Sequence, residues 1–447
     1  MHETILQYID ENLDTSINEL SQLCSLPSVA AKGENMEETA ELVASMFENL
    51  GLTVEIHPTS GVSVVTGELD VGAKRTLMFY DHFDVQPAEP FELWDSPPFE
   101  LTKRDGRLFA RGVADNKGDF VSRVTAVKSY IENGFELPVN IKFVVEGEEE
   151  ISSPHLPEFI KDNKDFLKAD GGIWEFGGSD ITGIQEAWLG LKGIVYVQLE
   201  IEKLNIDSHS STACVLPSAP YRLIWALNSL KDKEENILID GFYDDVKPLS
   251  EIENQAIAKI DMYEDKMKNH YGIDQFLLGL KGDDLKERYY NGPTCNICGV
   301  WSGYQGIGSK TVLPAKAYAK LDFRLVEDMK PDDIITKLRK HLDTHGFTDI
   351  KIAWHEGYAA AKTPLNHPFV KLVNKANKQV FGHDMVLQPT SPGSGPLYLF
   401  NDYVPMVSIG CGDYNSKVHA PNESITVDNY RNSIKRIAVL IHEMGSW

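Results

Sequence analysis

The sequence predicts an α/β protein in which a main domain with a mostly parallel sheet carries a second, inserted α+β domain of two layers. Over the first part of the 447 residues, short apolar runs typical of buried strands alternate with helical patterns. After about residue 190, strands instead alternate strictly between apolar and polar residues, as half-buried strands do. The alternation of short apolar runs with helical patterns returns near the C-terminus, which indicates that the second domain is inserted into the first.

Helices and strands alternate along the first part. Apolar residues recur at helical spacing over 3–25 and over 36–50, where Gly51 stops the pattern. Three short apolar runs then predict buried strands: SVVTG, TLMFYDHFDV and NIKFVVEG. A helical pattern, DFVSRVTAVKSYIENG, separates the last two runs, as expected for a mostly parallel sheet.

The middle of the chain predicts a small two-layer domain. Before a polar stretch at 231–290 come the strand GIVYVQLEIE and the helix SAPYRLIWALNSL. After it come the strand KAYAKLDFRLV, the helix PDDIITKLRKHLDTHG and the strand DIKIAWHEG. From HPFVKLVNKANKQVFG onward, the pattern of helices and buried strands seen in the first part returns. We therefore predict a main domain formed by 1–189 and 359–447, with an inserted domain over 190–358.

The composition argues against several partners. A formal net charge of −24 leaves no general basic surface for nucleic acid, whose binding depends on positive charge. No apolar stretch approaches the roughly 18 residues that a membrane span needs, and the N-terminus is acidic rather than a basic leader. We expect a soluble, cytoplasmic protein that binds neither nucleic acid nor membrane.

The cysteines do not indicate disulfides or a metal site. Their number, five, is odd. Cys295 and Cys298 form a C-x-x-C, but neither a second such pair nor histidines at matching spacing accompany it. The segment PTCNICGVW alternates like a strand, so we interpret both as ordinary strand residues.

Acidic and histidine residues follow the predicted strands of the main domain. His82 and Asp84 lie two residues apart at the end of a strand, so both point to one side, where a carboxylate can orient an imidazole ligand of a metal. Asp115 lies in a turn before a helix, where alone it would be an N-cap. The triplet in EGEEE would alone be a solvated charge run, and Glu175 follows GGIW. Because open α/β sheets bind ligands beyond the carboxyl ends of their strands, this convergence predicts a functional site.

Seven segments, in order, resemble the co-catalytic zinc peptidases, the family of carnosinase, cytosolic non-specific dipeptidase, glutamate carboxypeptidase, aminoacylase and succinyl-diaminopimelate desuccinylase. The segments are HFDVQP, SPPFELTKRDGRLFARGVADNKG, EGEEEISS, DSHSST, KTVLPAKAYAKLDFRLV, SPGSGP and HAPNE. Each motif alone is weak, but the ordered set covers essentially the whole chain.

The resemblance implies two Zn²⁺ ions per chain, with Co²⁺ or Mn²⁺ as substitutes. Asp115 would bridge the ions, His82 and Glu175 would complete one, and Glu150 and His419 would complete the other. The chemistry agrees, because zinc takes imidazole and carboxylate ligands, and carboxylates packed together without cations repel one another.

The resemblance also assigns roles around these ligands. Glu149 would be the general base, and Asp84 would support the imidazole of His82. Glu148 is left as a solvated charge. A cis peptide bond is implied between Asp115 and Asn116.

Further residues are assigned to the substrate. The resemblance implies binding roles for Asn296, Thr311, Arg324, Gly393 and Ser394. In LDFRLV, strand alternation puts Asp322 and Arg324 on one side, so Arg324 is either paired with Asp322 or free to bind the terminal carboxylate of a substrate.

His209, in DSHSST, would alone be a surface residue of the inserted domain. The resemblance implies that it stabilises the tetrahedral oxyanion, across a dimer in relatives such as carnosinase. It also implies that the inserted domain is a lid and forms a homodimer. Action within one chain and action across the dimer both stay open.

We predict a metallopeptidase that cleaves dipeptides or short peptides with a free C-terminal carboxylate, by water activated between two zinc ions and Glu149. The carnosinase-like branch usually has Asp where this chain has Glu175, whereas aminoacylase and the desuccinylase have Glu, so an N-acyl or N-succinyl amino acid deacylase is the first alternative. A non-catalytic binding or dimerisation module is the second, although all five ligands and the base are present. A di-metal phosphoesterase would need basic groups for its phosphate.

Overall fold

The structure, a computed structural model, describes residues 2–447 and has two compact units. The first unit comprises the chain up to Gly190, Lys362–Pro389 and Gly395–Trp447. The second comprises Leu191–Ala361 and Thr390–Ser394.

The helices and strands are numbered in chain order. The helices are α1 (His2–Glu11), α2 (Leu13–Cys24), α3 (Met36–Asn49), α4 (Lys117–Glu132), α5 (Leu156–Asp162), α6 (Ala219–Leu230), α7 (Glu251–Ala258), α8 (Glu264–Tyr271), α9 (Gly282–Asn291), α10 (Pro331–Thr344), α11 (Pro368–Phe381) and α12 (Val427–Gly445). The strands are β1 (Thr53–His57), β2 (Val64–Leu69), β3 (Thr76–His82), β4 (Thr102–Arg104), β5 (Arg107–Phe109), β6 (Asn140–Glu146), β7 (Gly171–Trp174), β8 (Gly178–Ser179), β9 (Glu186–Trp188), β10 (Gly190–Leu191), β11 (Gly193–Glu202), β12 (Ser208–His209), β13 (Asn296–Ser302), β14 (Val312–Leu313), β15 (Lys316–Leu325), β16 (Lys351–Tyr358), β17 (Ala361–Lys362), β18 (Val386–Gln388), β19 (Met406–Ser408), β20 (Gly412–Asp413) and β21 (Ser424–Thr426).

A central eight-stranded sheet organises the first unit, in the order β1-β2-β6-β3-β7-β19-β9-β18. The inner strands β6, β3, β7 and β19 run parallel to one another. Antiparallel pairs occur toward the edges, where β1 pairs with β2, β2 with β6, and β19 with β9. The predicted α/β fold with a largely parallel sheet is confirmed.

Helices bury the apolar strands of this sheet. Helix α4 packs on β3 and against α12, and it is buried on most of its surface. The predicted helical stretch 3–25 is two helices, because the chain leaves helical geometry at Asn12. The side chain and the backbone N–H of Asn12 both donate to the carbonyl of Tyr8, each at 2.9 Å.

The second unit contains an antiparallel sheet of order β13-β15-β11-β16. Every second residue of β11 is buried, as its alternation predicts, and these residues form one apolar core with α6 and α10. Cys298 lies in β13 and Cys295 just before it, and both are free thiols. Within residues 2–447, the helices are too short or too polar to cross a bilayer.

Candidate active site

The carboxyl ends of the central parallel strands carry the predicted ligands of the first unit. His82 ends β3, Glu175 follows β7, and Glu149 and Glu150 form a short 3-10 turn after β6. Parallel strands bring these ends to one edge of the sheet. Asp115 reaches the same place from the turn that precedes α4.

Asp115 joins two histidines. Its Oδ1 lies 3.0 Å from Nε2 of His82, and its Oδ2 lies 3.0 Å from Nε2 of His419. Glu175 Oε2 lies 3.4 Å from the same nitrogen of His82, and Glu150 Oε2 lies 3.1 Å from that of His419. One carboxylate therefore contributes an oxygen to each of two groups of side chains.

The donor atoms fit divalent metal ions. In each group the donor atoms lie within 4.8 Å of one another, and the groups are His82, Glu149 and Glu175, and Asp115, Glu150 and His419. The buried Oε2 of Glu175 has no hydrogen-bond partner in the described part of the chain, which leaves it free to bind an ion. Imidazole and carboxylate together are a donor set typical of zinc sites.

Asp84 supports both groups. One of its oxygens lies 3.3 Å from Nδ1 of His82. The same carboxylate accepts hydrogen bonds from the backbone N–H groups of Glu149, at 3.2 Å, and Glu150, at 2.9 Å. With Nδ1 directed at Asp84, the Nε2 atom of His82 is the nitrogen left for a metal.

When no metal is bound, the surrounding carboxylates stabilise His82 and His419 in their protonated form. Burial lowers the pKa of His82, but hydrogen bonds to Asp115 and Asp84 outweigh it and hold the pKa well above its usual value. Hydrogen bonds to Asp115 and Glu150 raise the pKa of His419 to about 10. Burial opposes ionisation of Asp115, yet its bonds to both histidines hold its pKa well below the usual range.

Glu149 and Glu175 have raised pKa values, so both resist ionisation. Burial, and then the charge of Glu175, raise the pKa of Glu149 well above its usual value. Burial raises the pKa of Glu175 to about 8, against the opposing effect of His82. Because crowded carboxylates repel one another in a buried place, the arrangement favours cations among them.

Two buried charged residues that the sequence reasoning did not single out hold this edge together. Glu423, in HAPNE, accepts hydrogen bonds from Arg111, at 2.6 Å, and from the backbone N–H groups of Gly112, Ala114 and Asp115. Arg123 donates to the carbonyl of Glu175 at 2.8 Å. Glu423 could have been found from the sequence, because it is part of the motif HAPNE. Arg123 lies in an ordinary helical pattern that gives no sign of this role.

Asn116 and its peptide bond also shape the edge. The bond between Asp115 and Asn116 is cis, as the resemblance implies. Asn116 donates 2.7 Å to the carbonyl of Glu175 and accepts 3.3 Å from the backbone N–H of His82. It thereby links the turn before α4 to the ends of β3 and β7.

Glu148 is not the solvated charge that we expected. It is 6 % exposed and pairs with Nδ1 of His155 at 2.8 Å. A buried carboxylate needs such a partner, and residue 155 lies too far along the chain for the triplet pattern to reveal it.

The predicted substrate residues all lie in the second unit, in two clusters. His209 Nε2 lies 3.3 Å from Oγ1 of Thr311, across the β12–β14 pair. Arg324 donates a 2.7 Å hydrogen bond to Ser394 Oγ and lies 3.4 Å from Asp322.

The two remaining substrate residues show no direct bond to Arg324. Asn296 lies opposite Asp322 in the sheet register, so it neighbours the second cluster. Gly393 donates its backbone N–H to Ser391 Oγ at 3.2 Å.

The fold and the two ligand groups define a metal-dependent peptidase. Residues 78–443 match the family described as Peptidase family M20/M25/M40, and the chain belongs to this family. The resemblance predicted from the seven motifs is confirmed.

Relatives span nearly the whole chain. A Cys-Gly metallodipeptidase of Schizosaccharomyces pombe is 29 % identical over 99 % of this chain and 98 % of its own length. A Beta-Ala-His dipeptidase of Rattus norvegicus is 28 % identical over 99 % of this chain and 95 % of its own. The crystal structure of an M20 family metallo-carboxypeptidase from Sulfolobus solfataricus has a TM-score of 0.91 and 36 % identity, covering 97 % of this chain and 99 % of that one.

Proposed function

We propose that the protein hydrolyses the peptide bond of dipeptides or short peptides with a free C-terminal carboxylate. Two Zn²⁺ ions would be held there, one by His82, Glu175 and Asp115 and the other by Glu150, His419 and Asp115, with Glu149 left as the base. Co²⁺ or Mn²⁺ would substitute. The main support for this proposal is that one oxygen of Asp115 lies beside His82 and the other lies beside His419. A carboxylate so placed suits a two-metal hydrolase. The names of the metallodipeptidase and Beta-Ala-His dipeptidase relatives support the substrate class.

The residues around the ligands have distinct tasks in this proposal. Bound ions would lower the pKa of a water between them and polarise the scissile carbonyl. Glu149 takes a proton from the attacking water and returns it to the leaving amine, because its carboxylate lies beside the donor atoms of His82 and Glu175. Asp84 holds the turn that carries Glu149 in place.

Arg324 is the proposed clamp for the substrate carboxylate. Its side chain is 31 % exposed and therefore partly accessible, and its guanidinium contacts Ser394 and Asp322. A planar guanidinium binds a carboxylate through two parallel hydrogen bonds. We assign Thr311, Asn296 and Gly393 to the same task of holding substrate.

We propose that residues 190–358 form a lid and a dimerisation domain, and that His209 stabilises the oxyanion. Helix α6 exposes Tyr221, Ile224 and Trp225 on one side, and β13 is an edge strand, which are features of an isologous contact. A cytoplasmic location stays a prediction.

A substrate panel tests the proposal. The purified chain is assayed with Zn²⁺, Co²⁺ or Mn²⁺ on dipeptides, C-terminally amidated dipeptides, and N-acetyl and N-succinyl amino acids. We expect metal-dependent cleavage of the free dipeptides and loss of activity after chelation. Cleavage of N-acyl amino acids alone would instead establish a deacylase, which Glu175 favours. Binding of metal without any hydrolysis would point to a non-catalytic module.

A further inference from the structure

Trp174 is held rigidly beside the candidate metal site. It is the last residue of β7 and is fully buried. Its ring stacks on Tyr80, with centroids 3.9 Å apart and planes 12° from parallel, and it meets the edge of Phe400 at 5.5 Å and 74°. The stacked contact with Tyr80 and the T-shaped contact with Phe400 leave the indole little freedom to turn.

The indole N–H is directed at a candidate metal ligand. Nε1 of Trp174 donates a 3.0 Å hydrogen bond to Oε1 of Glu175. The other oxygen, Oε2, is buried, has no hydrogen-bond partner within residues 2–447, and lies 3.4 Å from Nε2 of His82. The two oxygens of one carboxylate therefore have different surroundings.

The backbone beneath this carboxylate is also fixed. Arg123 donates from Nη2 to the carbonyls of both Trp174 and Glu175, each at 2.8 Å. Asn116 donates to the carbonyl of Glu175 at 2.7 Å. The remaining freedom of Glu175 lies in its side-chain torsions, and the indole bond restrains these.

We infer that Trp174 is a positioning residue that occupies Oε1 of Glu175, so that Glu175 presents only Oε2 to an ion. This inference rests on the proposed metal site. Glutamate has one more rotatable bond than aspartate, so a glutamate ligand without such a restraint could turn away or bind through both oxygens. Groups that hydrogen-bond to metal ligands typically change metal affinity by about 10–100-fold when they are lost.

The test is the metal affinity of Trp174→Phe, which keeps a stacking ring but lacks the N–H. Zn²⁺ binding is measured by competition with a chromophoric chelator, without any assay of turnover. We expect one of the two ions to bind about 10–100-fold more weakly and the other to change little. The matched control is Trp94→Phe, because Trp94 donates its indole N–H to the carbonyl of Ala88, at 2.8 Å, rather than to a ligand. Its Zn²⁺ affinities should equal those of the wild type.

A second replacement guards against a folding defect. Benzothienylalanine at position 174 keeps the size of the double ring and replaces the N–H with sulfur. Circular dichroism and the melting temperature of the metal-free protein establish folding. A folded variant with unchanged Zn²⁺ affinities would overturn the role of Trp174. A wild-type chain that binds no ion would overturn the proposed function instead.

Discussion

The two units hold their candidate functional residues in opposite ways. In the first, the side chains of His82 and Asp84 are 0 % exposed, and that of Glu175 is 6 % exposed. In the second, His209 is exposed and Arg324 is 31 % exposed. Groups that hold ions must be placed before the ions arrive, whereas groups that grip a substrate must stay open to it. Substitutions among the buried charged groups of the first unit should therefore lower stability, whereas those of the exposed groups in the second unit should lower activity alone.

The largest expected effect is that of Glu149→Gln. Turnover should fall by about 10³-fold while both ions stay bound, because the amide keeps the shape but cannot accept the proton. Steady-state kinetics and metal analysis measure the two quantities. The control is Glu148→Gln, a neighbour that pairs with His155 and should keep near-normal turnover. Near-normal turnover in Glu149→Gln would remove this residue as the base.

The next effect is on stability. Glu423→Gln should lower the free energy of unfolding by roughly 3–5 kcal/mol, because it leaves the buried Arg111 without a charged partner. Urea denaturation measures the change. Glu158→Gln is the control, since that carboxylate accepts its hydrogen bond from Ser60 at an exposed place, and its change should stay within about 0.5 kcal/mol. Equal losses in both variants would show that the loss does not come from the buried pair of Glu423 with Arg111.

His209→Ala should lower kcat by about 10²–10³-fold, the usual effect of removing an oxyanion donor, with unchanged stability. If His209 acts across a dimer, mixing this variant with Glu149→Gln restores activity in mixed dimers, which have one complete site. Statistical mixing predicts recovery of about a quarter of wild-type sites. Failure to recover activity after proven subunit exchange would confine His209 to its own chain or remove its catalytic role.

The smallest expected effect is at the carboxylate clamp. Arg324→Lys should lower kcat/KM by about 10²-fold on free dipeptides, and amidation of the substrate should do the same to the wild type. The two losses should not add, because they break one interaction. Equal cleavage of free and amidated dipeptides by the wild type would disprove the clamp.

Local patterns in the sequence predicted four of the eight strands of the central sheet, namely β2, β3, β6 and β7. They also predicted the polar side chains at the ends of three of these strands, whereas the ligand roles come from the family resemblance and stay a prediction. Strand β11 spans 193–202 as its alternation indicates, His82 ends β3, and Glu175 follows β7. What could not be predicted depends on distant pairing. Glu423 meets Arg111 across 312 residues, and no local period records such a contact. The break at Asn12 was missed for a different reason, since the backbone leaves helical geometry at that one residue while the apolar spacing continues.

Asp84 makes two parts of the candidate site depend on a single side chain. One carboxylate supports an imidazole ligand and the turn that carries both the base and a second ligand. A single codon change to asparagine would replace one accepting oxygen with a donor, which cannot face a backbone N–H. A lineage could thus lose hydrolysis in one mutational step while every ligand residue still stands in its sequence.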